Sequence, residues 1–202
     1  VDDIAQTISD YASATRNAIA AGCDGVELHC TSGYLPVQFL STGTNVRNDE
    51  YGGSLDNRLR FVLEVLEAMI AEAGSGRVGI RICPGNPFND LTDENPEETF
   101  RALIAAINPM GLAYLHVIRM KAGVDNIALA NENFDGPIIL NDSYDLDRGN
   151  RALAEGKAAA IAFGRHYISN PDLVEKMKSG AELTKPNYKL MYTPGPKGYV
   201  DY

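Results

Sequence analysis

Side chains that can bind anions or donate protons follow several strand-like segments of the sequence. His29 ends an apolar segment over 25–29, and Arg81 lies near the end of another over 77–82. Two later strand ends carry Asn141, Asp142 and Ser143, and then Gly164 and Arg165. Because ligands bind at the carboxyl ends of parallel strands, we expect these groups to share one pocket.

The last two strand ends are suited to a phosphate group. Many barrels bind phosphate with backbone N–H groups of the loops after their last two strands and with a helix N-terminus. Gly164 permits close backbone approach, and Arg165 offers a bidentate guanidinium. If these are strands seven and eight of a barrel, the chain carries strands four to eight.

The elements that must position these residues alternate along the chain. Apolar spacing predicts helices, and short apolar runs between them predict strands. Ser54 is the expected N-cap of one helix, and Pro96 begins another. Strands separated by helices indicate an α/β fold with a buried parallel sheet. The predicted helices are 3–21, 55–73, 96–107, 147–155 and 171–178, and the predicted strands are 25–29, 77–82, 113–118, 137–140 and 158–163.

Composition excludes several classes of function. The formal net charge of −9 argues against nucleic-acid binding, and no run of about 18 apolar residues predicts a membrane span. Three cysteines without a C-x-x-C pair favour a reducing, cytoplasmic location. The three histidines are dispersed, so no metal site is expected. The G-x-G-x-x-G run at 74–79 follows a predicted helix, which indicates a helix end and turn.

Longer motifs surround the candidate residues. They are GCDGVELH (22–29), GYLPVQFL (33–40), RNDEYGGSLDNR (47–58), VGIR (78–81), AFGR (162–165) and SNPDL (169–173). Together they resemble the C-terminal part of the old yellow enzymes, the flavin-dependent ene-reductases that include the 12-oxophytodienoate reductases. The resemblance spans essentially all 202 residues.

The resemblance implies a (β/α)8 TIM barrel that holds FMN non-covalently, with residues 1–202 forming the C-terminal part of that single domain. It implies that a nicotinamide cofactor, taken here as NADPH, reduces the flavin. An α,β-unsaturated carbonyl compound then accepts a hydride at its β-carbon. An enone or a quinone is the expected small-molecule substrate, and the sequence leaves the oligomeric state open.

Site residues carry over by position. His29 would hydrogen-bond the substrate carbonyl, and Tyr34 would deliver a proton to the α-carbon. Their five-residue spacing supports this, because it lets both side chains face one pocket without being helix neighbours. Arg81 would lie beside the pyrimidine edge of the flavin. The phosphate would be held by Asn141, Asp142, Ser143, Gly164 and Arg165, and the substrate pocket would be bordered by Ser32 and Tyr192.

Three departures qualify the resemblance. Ser32 stands where the family usually has asparagine, and its shorter side chain can still donate a hydrogen bond. Asp142 replaces a smaller or neutral residue, and a carboxylate near phosphate is unfavourable unless it points away. No segment supplies the flavin-contacting Thr and Gln of the family's first three strands. We therefore expect the chain to form about five-eighths of a barrel, as a fragment or a partial gene product. The sequence leaves open whether this part is active by itself.

Two alternatives remain beside the ene-reductase hypothesis. A truncated, inactive homologue would act as a binding or assembly partner. Another FMN barrel enzyme, related to 2-enoate reductases or amine dehydrogenases, would carry clustered cysteines for an iron–sulfur centre. The three dispersed cysteines disfavour the last option.

Overall fold

A computed structural model describes residues 2–120 and 123–201 of the chain. Within these residues the centre of the fold is a sheet of five parallel strands, which lie side by side in chain order. This arrangement confirms the predicted α/β architecture with a parallel sheet. The strands are β1 Val26–Cys30, β2 Val78–Ile82, β3 Tyr114–Ile118, β4 Ile138–Asn141 and β5 Ala160–Ala162.

Helices connect the strands and follow the last one. The described helices are α1 Asp2–Ala20, α2 Leu35–Leu40, α3 Leu55–Ala73, α4 Pro96–Ile107, α5 Asn126–Asn133, α6 Leu146–Ala154, α7 Arg165–Ser169 and α8 Leu173–Ser179. Helices α3 and α4 have the predicted bounds. Helices α2, α5 and α7 are not predicted by the sequence analysis, because segments of five to eight residues carry too few turns to show apolar periodicity.

Local sequence signals set the ends of the longer helices. The Ser54 side chain accepts a hydrogen bond from the backbone N–H of Asn57, which caps α3 as expected. At its other end, Gly74 adopts φ 83° and donates its N–H to the Ile70 carbonyl. A 3₁₀ turn over Ser75–Arg77 then leads into β2. The 74–79 glycine run is therefore a helix end and turn, in agreement with the sequence analysis.

The two faces of the sheet differ in polarity. One face packs against the helices through side chains that are almost fully buried, among them Leu28, Ile80, Leu115 and Leu140. Because side chains alternate along a strand, the residues between these point to the opposite face. Strand register aligns on that face the polar side chains Glu27, His29, Arg81, Tyr114, His116 and Asn141. One face of the sheet is therefore part of the apolar core, and the opposite face is polar.

One arginine links the amino ends of β1 and β2 through hydrogen bonds. The Arg77 guanidinium donates to the carbonyls of Asp24 at 2.6 Å and Cys23 at 2.9 Å. A Cβ added at Gly25 would lie 2.6 Å from the Arg77 carbonyl oxygen, which is part of the backbone and cannot turn aside. Gly25 is therefore required for the close approach that fixes the register of these strands.

Replacing Gly25 with alanine should destabilise the chain by about 1–3 kcal/mol, because the added methyl group forces the two strand ends apart. Urea unfolding followed by circular dichroism measures this as a lower midpoint. Gly76→Ala is the matched control, since a Cβ at Gly76 meets no atom within 4 Å. Equal midpoints for the two variants would show that the strand ends do not constrain each other.

Candidate flavin site

Parallel register brings two candidate side chains, and a histidine that the sequence analysis did not single out, into one row across the polar face. Arg81 is the register partner of His29 on one side and of His116 on the other. His29 and Arg81 are half-buried, and His116 is buried. An imidazole and a guanidinium predicted from separate strand ends therefore lie on neighbouring strands.

Arg81 connects the row to the later strand ends. Its Nη2 donates to Asn141 Oδ1 at 2.6 Å, and Asn141 Nδ2 donates to the Ala162 carbonyl at 3.0 Å. Three strands are thereby joined through side chains on the polar face. Arg81 Nε is buried and has no hydrogen-bond partner in the described structure. Since an unpaired buried donor is costly, this N–H is available to a ligand with an acceptor atom.

A hydrogen-bonded pair that the sequence analysis missed lies beside Arg81. His116 Nδ1 lies 2.8 Å from Glu27 Oε2, and Glu27 also accepts a hydrogen bond from Tyr114. Burial alone would raise the pKa of Glu27, but these hydrogen bonds and the charge of Arg81 lower it overall. Glu27 is thus ionised at neutral pH and accepts the proton of His116 Nδ1. Its position two residues before His29 in one strand is the signal that could have found it.

Burial raises the pKa of Tyr114 to about 12, and the charge of Glu27 contributes to the increase. The phenol therefore stays protonated and donates its hydrogen bond to Glu27. The other ring nitrogen of His116, Nε2, is buried without a partner among the described residues. The polar face therefore holds two unpaired nitrogens, on His116 and on Arg81.

His29 and Tyr34 lie side by side at the end of β1. Their ring centroids are 5.0 Å apart with the rings at 63°, an edge-to-face contact. Tyr34 is the N-cap residue of α2 and is 57% exposed, so its ring is not packed in the core. Burial lowers the pKa of His29, and the nearby charge of Arg81 lowers it further. The imidazole is therefore neutral at pH 7 and carries one N–H.

Ser32 is held by the loop that follows β2. Its backbone adopts φ 59°, and its hydroxyl accepts a hydrogen bond from Asn86 Nδ2 at 3.2 Å. Asn89 Nδ2 donates to the Ser32 carbonyl at 2.7 Å. The hydroxyl proton can still be donated to another acceptor. No hydrogen bond joins Ser32 to His29 in the described structure.

The predicted phosphate residues line one cavity of about 610 Å³ at the carboxyl ends of β4 and β5. Tyr192 also lines this cavity, and its side chain is 87% exposed. Its backbone has φ 63°, and its N–H donates a hydrogen bond to the Tyr199 hydroxyl. The sequence analysis missed some of the lining residues, which come from an adjoining helix and a late loop. The lining includes Arg81, Asn141, Asp142, Ser143, Gly164, Arg165 and Tyr192 from the predicted set, and His166, Ile168 and Tyr188 from outside it.

The Asp142 carboxylate does not point away from this cavity. It forms an ion pair with the guanidinium of Arg165, which is also one of the predicted phosphate residues. Asp142 and Ser143 adopt φ of 67° and 58°, the left-handed region that favours glycine. This backbone conformation sets the direction of the carboxylate.

A model of the NADH:flavin oxidoreductase / NADH oxidase family matches residues 1–184. The chain belongs to this family.

Curated relatives and solved structures agree with the assignment. A probable flavin mononucleotide-dependent alkene reductase of Leishmania infantum is 44% identical, with coverage of 100% of this chain and 56% of that protein. Morphinone reductase in complex with tetrahydroNAD is 40% identical with a TM-score of 0.92, and the match covers 100% of this chain and 56% of that one. The old yellow enzyme from Trypanosoma cruzi is 35% identical with a TM-score of 0.95, covering 100% of this chain and 55% of that one. The resemblance to old yellow enzymes is confirmed, and the chain spans just over half the length of these relatives.

Two further properties of this family member concern ions and membranes. Across residues 2–120 and 123–201, no group of three or more His, Cys, Asp or Glu side chains could hold a metal ion. No helix in the same residues has the length and apolar character needed to cross a bilayer.

The lowered pKa of His29 predicts a pH dependence of stability. The unfolded chain binds a proton near the ordinary value of 6.5, whereas folded His29 binds one only at lower pH. The unfolded state therefore holds more protons below about pH 6.5, and the free energy of unfolding should fall as pH decreases through that region. His29→Gln should flatten this decline between about pH 7.5 and 5.5, measured by urea unfolding at each pH. A variant with the wild-type slope would show that His29 is not desolvated.

Proposed function

We propose that this chain contributes the flavin and substrate site of an FMN-dependent ene-reductase that uses NADPH and reduces the C=C bond of an enone or quinone. The observation that carries the proposal is the side-chain link from Arg81 to Asn141. It joins the row containing His29 to a cavity lined by the predicted phosphate residues. A ligand with a polar ring at one end and a polar tail at the other matches that layout.

FMN fits most of these residues. Arg81 Nε offers an unpaired buried donor to an acceptor atom of the flavin ring. Asn141, Ser143, Gly164 and Arg165 line the cavity assigned to its phosphate. When bound, FMN would supply the hydride chemistry for which the side chains have no equivalent. A guanidinium beside the ring favours negative charge there.

His29 is suited to bind and polarise a carbonyl oxygen. Because burial and Arg81 lower its pKa, the imidazole donates an N–H without carrying a positive charge. A neutral donor avoids repulsion with the Arg81 guanidinium on the adjacent strand. Ser32 would also donate its hydroxyl proton to the carbonyl oxygen, because the hydroxyl only accepts in its hydrogen bond with Asn86 Nδ2.

Tyr34 is suited to deliver a proton to the α-carbon as general acid. Its edge-to-face contact with His29 places the phenol beside the group that would hold the carbonyl. Its exposure lets the hydroxyl exchange protons with water between turnovers. Tyr192 lines the cavity assigned to the phosphate, and its proposed place at the border of the substrate rests on the resemblance alone.

We also propose that the five strands are the fourth to the eighth of an eight-stranded barrel and that residues 1–202 belong to one FMN-binding domain. Within the described residues, β1 pairs only with β2 and β5 only with β4, so both sheet edges are open to further strands. A phosphate cavity after the last two strands is common in barrels. The free cysteines support a reducing, cytoplasmic environment.

The role of His29 is tested by phenol binding to the chain saturated with FMN. His29→Ala should weaken phenol binding about tenfold, because one hydrogen bond to the ligand oxygen is lost. The shift of the flavin absorbance during titration measures the affinity, and the flavin should stay bound. Loss of flavin from His29→Ala would mean that the residue belongs to the cofactor site instead, and a wild-type chain that binds no flavin would refute the proposed function.

Tyr34→Phe separates proton delivery from binding. The phenyl ring keeps the contact with His29, so phenol affinity should stay close to the wild-type value. Turnover of cyclohexenone with NADPH should fall at least about 100-fold, the usual contribution of a general acid. Turnover equal to that of the wild type would remove Tyr34 from the mechanism.

A further inference from the structure

The loop after β4 presents a carboxylate inside the cavity proposed for the flavin phosphate. Asp142 Oδ1 is paired with the Arg165 guanidinium, and Asp142 Oδ2 accepts a hydrogen bond from Ser143 Oγ at 3.2 Å. Both carboxylate oxygens are therefore engaged within the cavity wall. An anion entering this cavity meets an arginine that already has a partner.

Two further arginines bind the backbone of this loop. The Ser143 carbonyl accepts hydrogen bonds from Arg148 Nη1 at 3.2 Å and from Arg119 Nη1 at 3.5 Å. These bonds hold Ser143 in its left-handed conformation and, through it, the backbone of Asp142. The loop backbone that presents the carboxylate to the cavity is therefore held in place.

The charges facing the cavity are few. Its described lining contains two arginines, Arg81 and Arg165, and one carboxylate, Asp142. Arg81, in the row containing His29, donates to Asn141, so Arg165 is the arginine of the cavity lining that pairs with Asp142. Arg119 and Arg148 bind the Ser143 carbonyl from outside that lining. With Asp142 paired to it, this end of the cavity has no net charge from the two side chains.

We propose that the Asp142 carboxylate neutralises Arg165 and so removes the attraction of this site for a flavin phosphate. The site would then bind riboflavin about as tightly as FMN. The inference rests on the proposed flavin site. A phosphate monoester carries a charge of about −1.5 to −2 at pH 7 and would share Arg165 with the Asp142 carboxylate. The repulsion offsets the gain from the guanidinium, whereas a hydroxyl-terminated flavin meets neither effect.

Asp142→Asn tests this with a minimal change. Asparagine has nearly the same shape and tolerates the left-handed backbone, so the loop is expected to keep its conformation. Removing the carboxylate frees Arg165 for phosphate. FMN affinity should rise about tenfold, and riboflavin affinity should stay within about twofold, as measured by quenching of flavin fluorescence at fixed ionic strength.

Asp172→Asn is the matched control. Asp172 is the N-cap residue of α8, pairs with Lys176 and lies outside the described cavity lining. It changes the net charge by the same amount outside the cavity, and the ratio of FMN to riboflavin affinity should stay at the wild-type value.

The outcomes separate the two proposals. Similar wild-type affinities for both flavins, with a gain for FMN alone in Asp142→Asn, support the inference. A wild-type chain that binds FMN much more tightly than riboflavin, or an Asp142→Asn chain with an unchanged ratio, overturns it and leaves the flavin site in place. A chain that binds neither flavin in wild-type or variant form overturns both.

Discussion

The hydrogen bond from Arg81 to Asn141 is the interaction on which the rest of the site depends. The two residues lie on strands separated by β3, and Asn141 in turn binds the Ala162 carbonyl on β5. A charged donor to a side-chain acceptor in a half-buried setting is stronger than a neutral pair. The link fixes the guanidinium above the sheet and leaves its Nε free, and so turns three strand ends into one binding surface.

This arrangement requires a sheet with two unlike faces. The apolar face, with Leu28, Ile80 and Leu115 buried beneath helices, supplies the stability that the polar face cannot. The polar face carries groups whose burial is costly unless they are paired, and Glu27 and His116 meet that requirement with each other. Arg81 and His116 each retain an unpaired buried nitrogen, a cost that a bound ligand can remove. Stability and binding are therefore assigned to opposite sides of the same five strands.

Sequence reasoning located much of this because the relevant rules are local. The position of a strand's carboxyl end is sufficient to place Gly164 and Asn141 on the same edge. The pairing of His29 with Tyr34 is expected from the resemblance and supported by their spacing. The pairs Glu27–His116 and Asp142–Arg165 depend instead on register between distant segments and on left-handed backbone at Asp142 and Ser143. Non-glycine residues rarely adopt that conformation, so residue type gave no warning that the carboxylate would turn toward Arg165. Roles assigned to these residues in catalysis stay predictions.

The central claim is that the polar face organised by Arg81 binds a flavin. Equilibrium dialysis of the chain against FMN at saturating concentration tests it most directly, with Arg81→Met as the comparison and circular dichroism as the check on folding. About one flavin should bind per wild-type chain and almost none per folded Arg81→Met chain. Equal binding by the two chains, or none by the wild type, would contradict it.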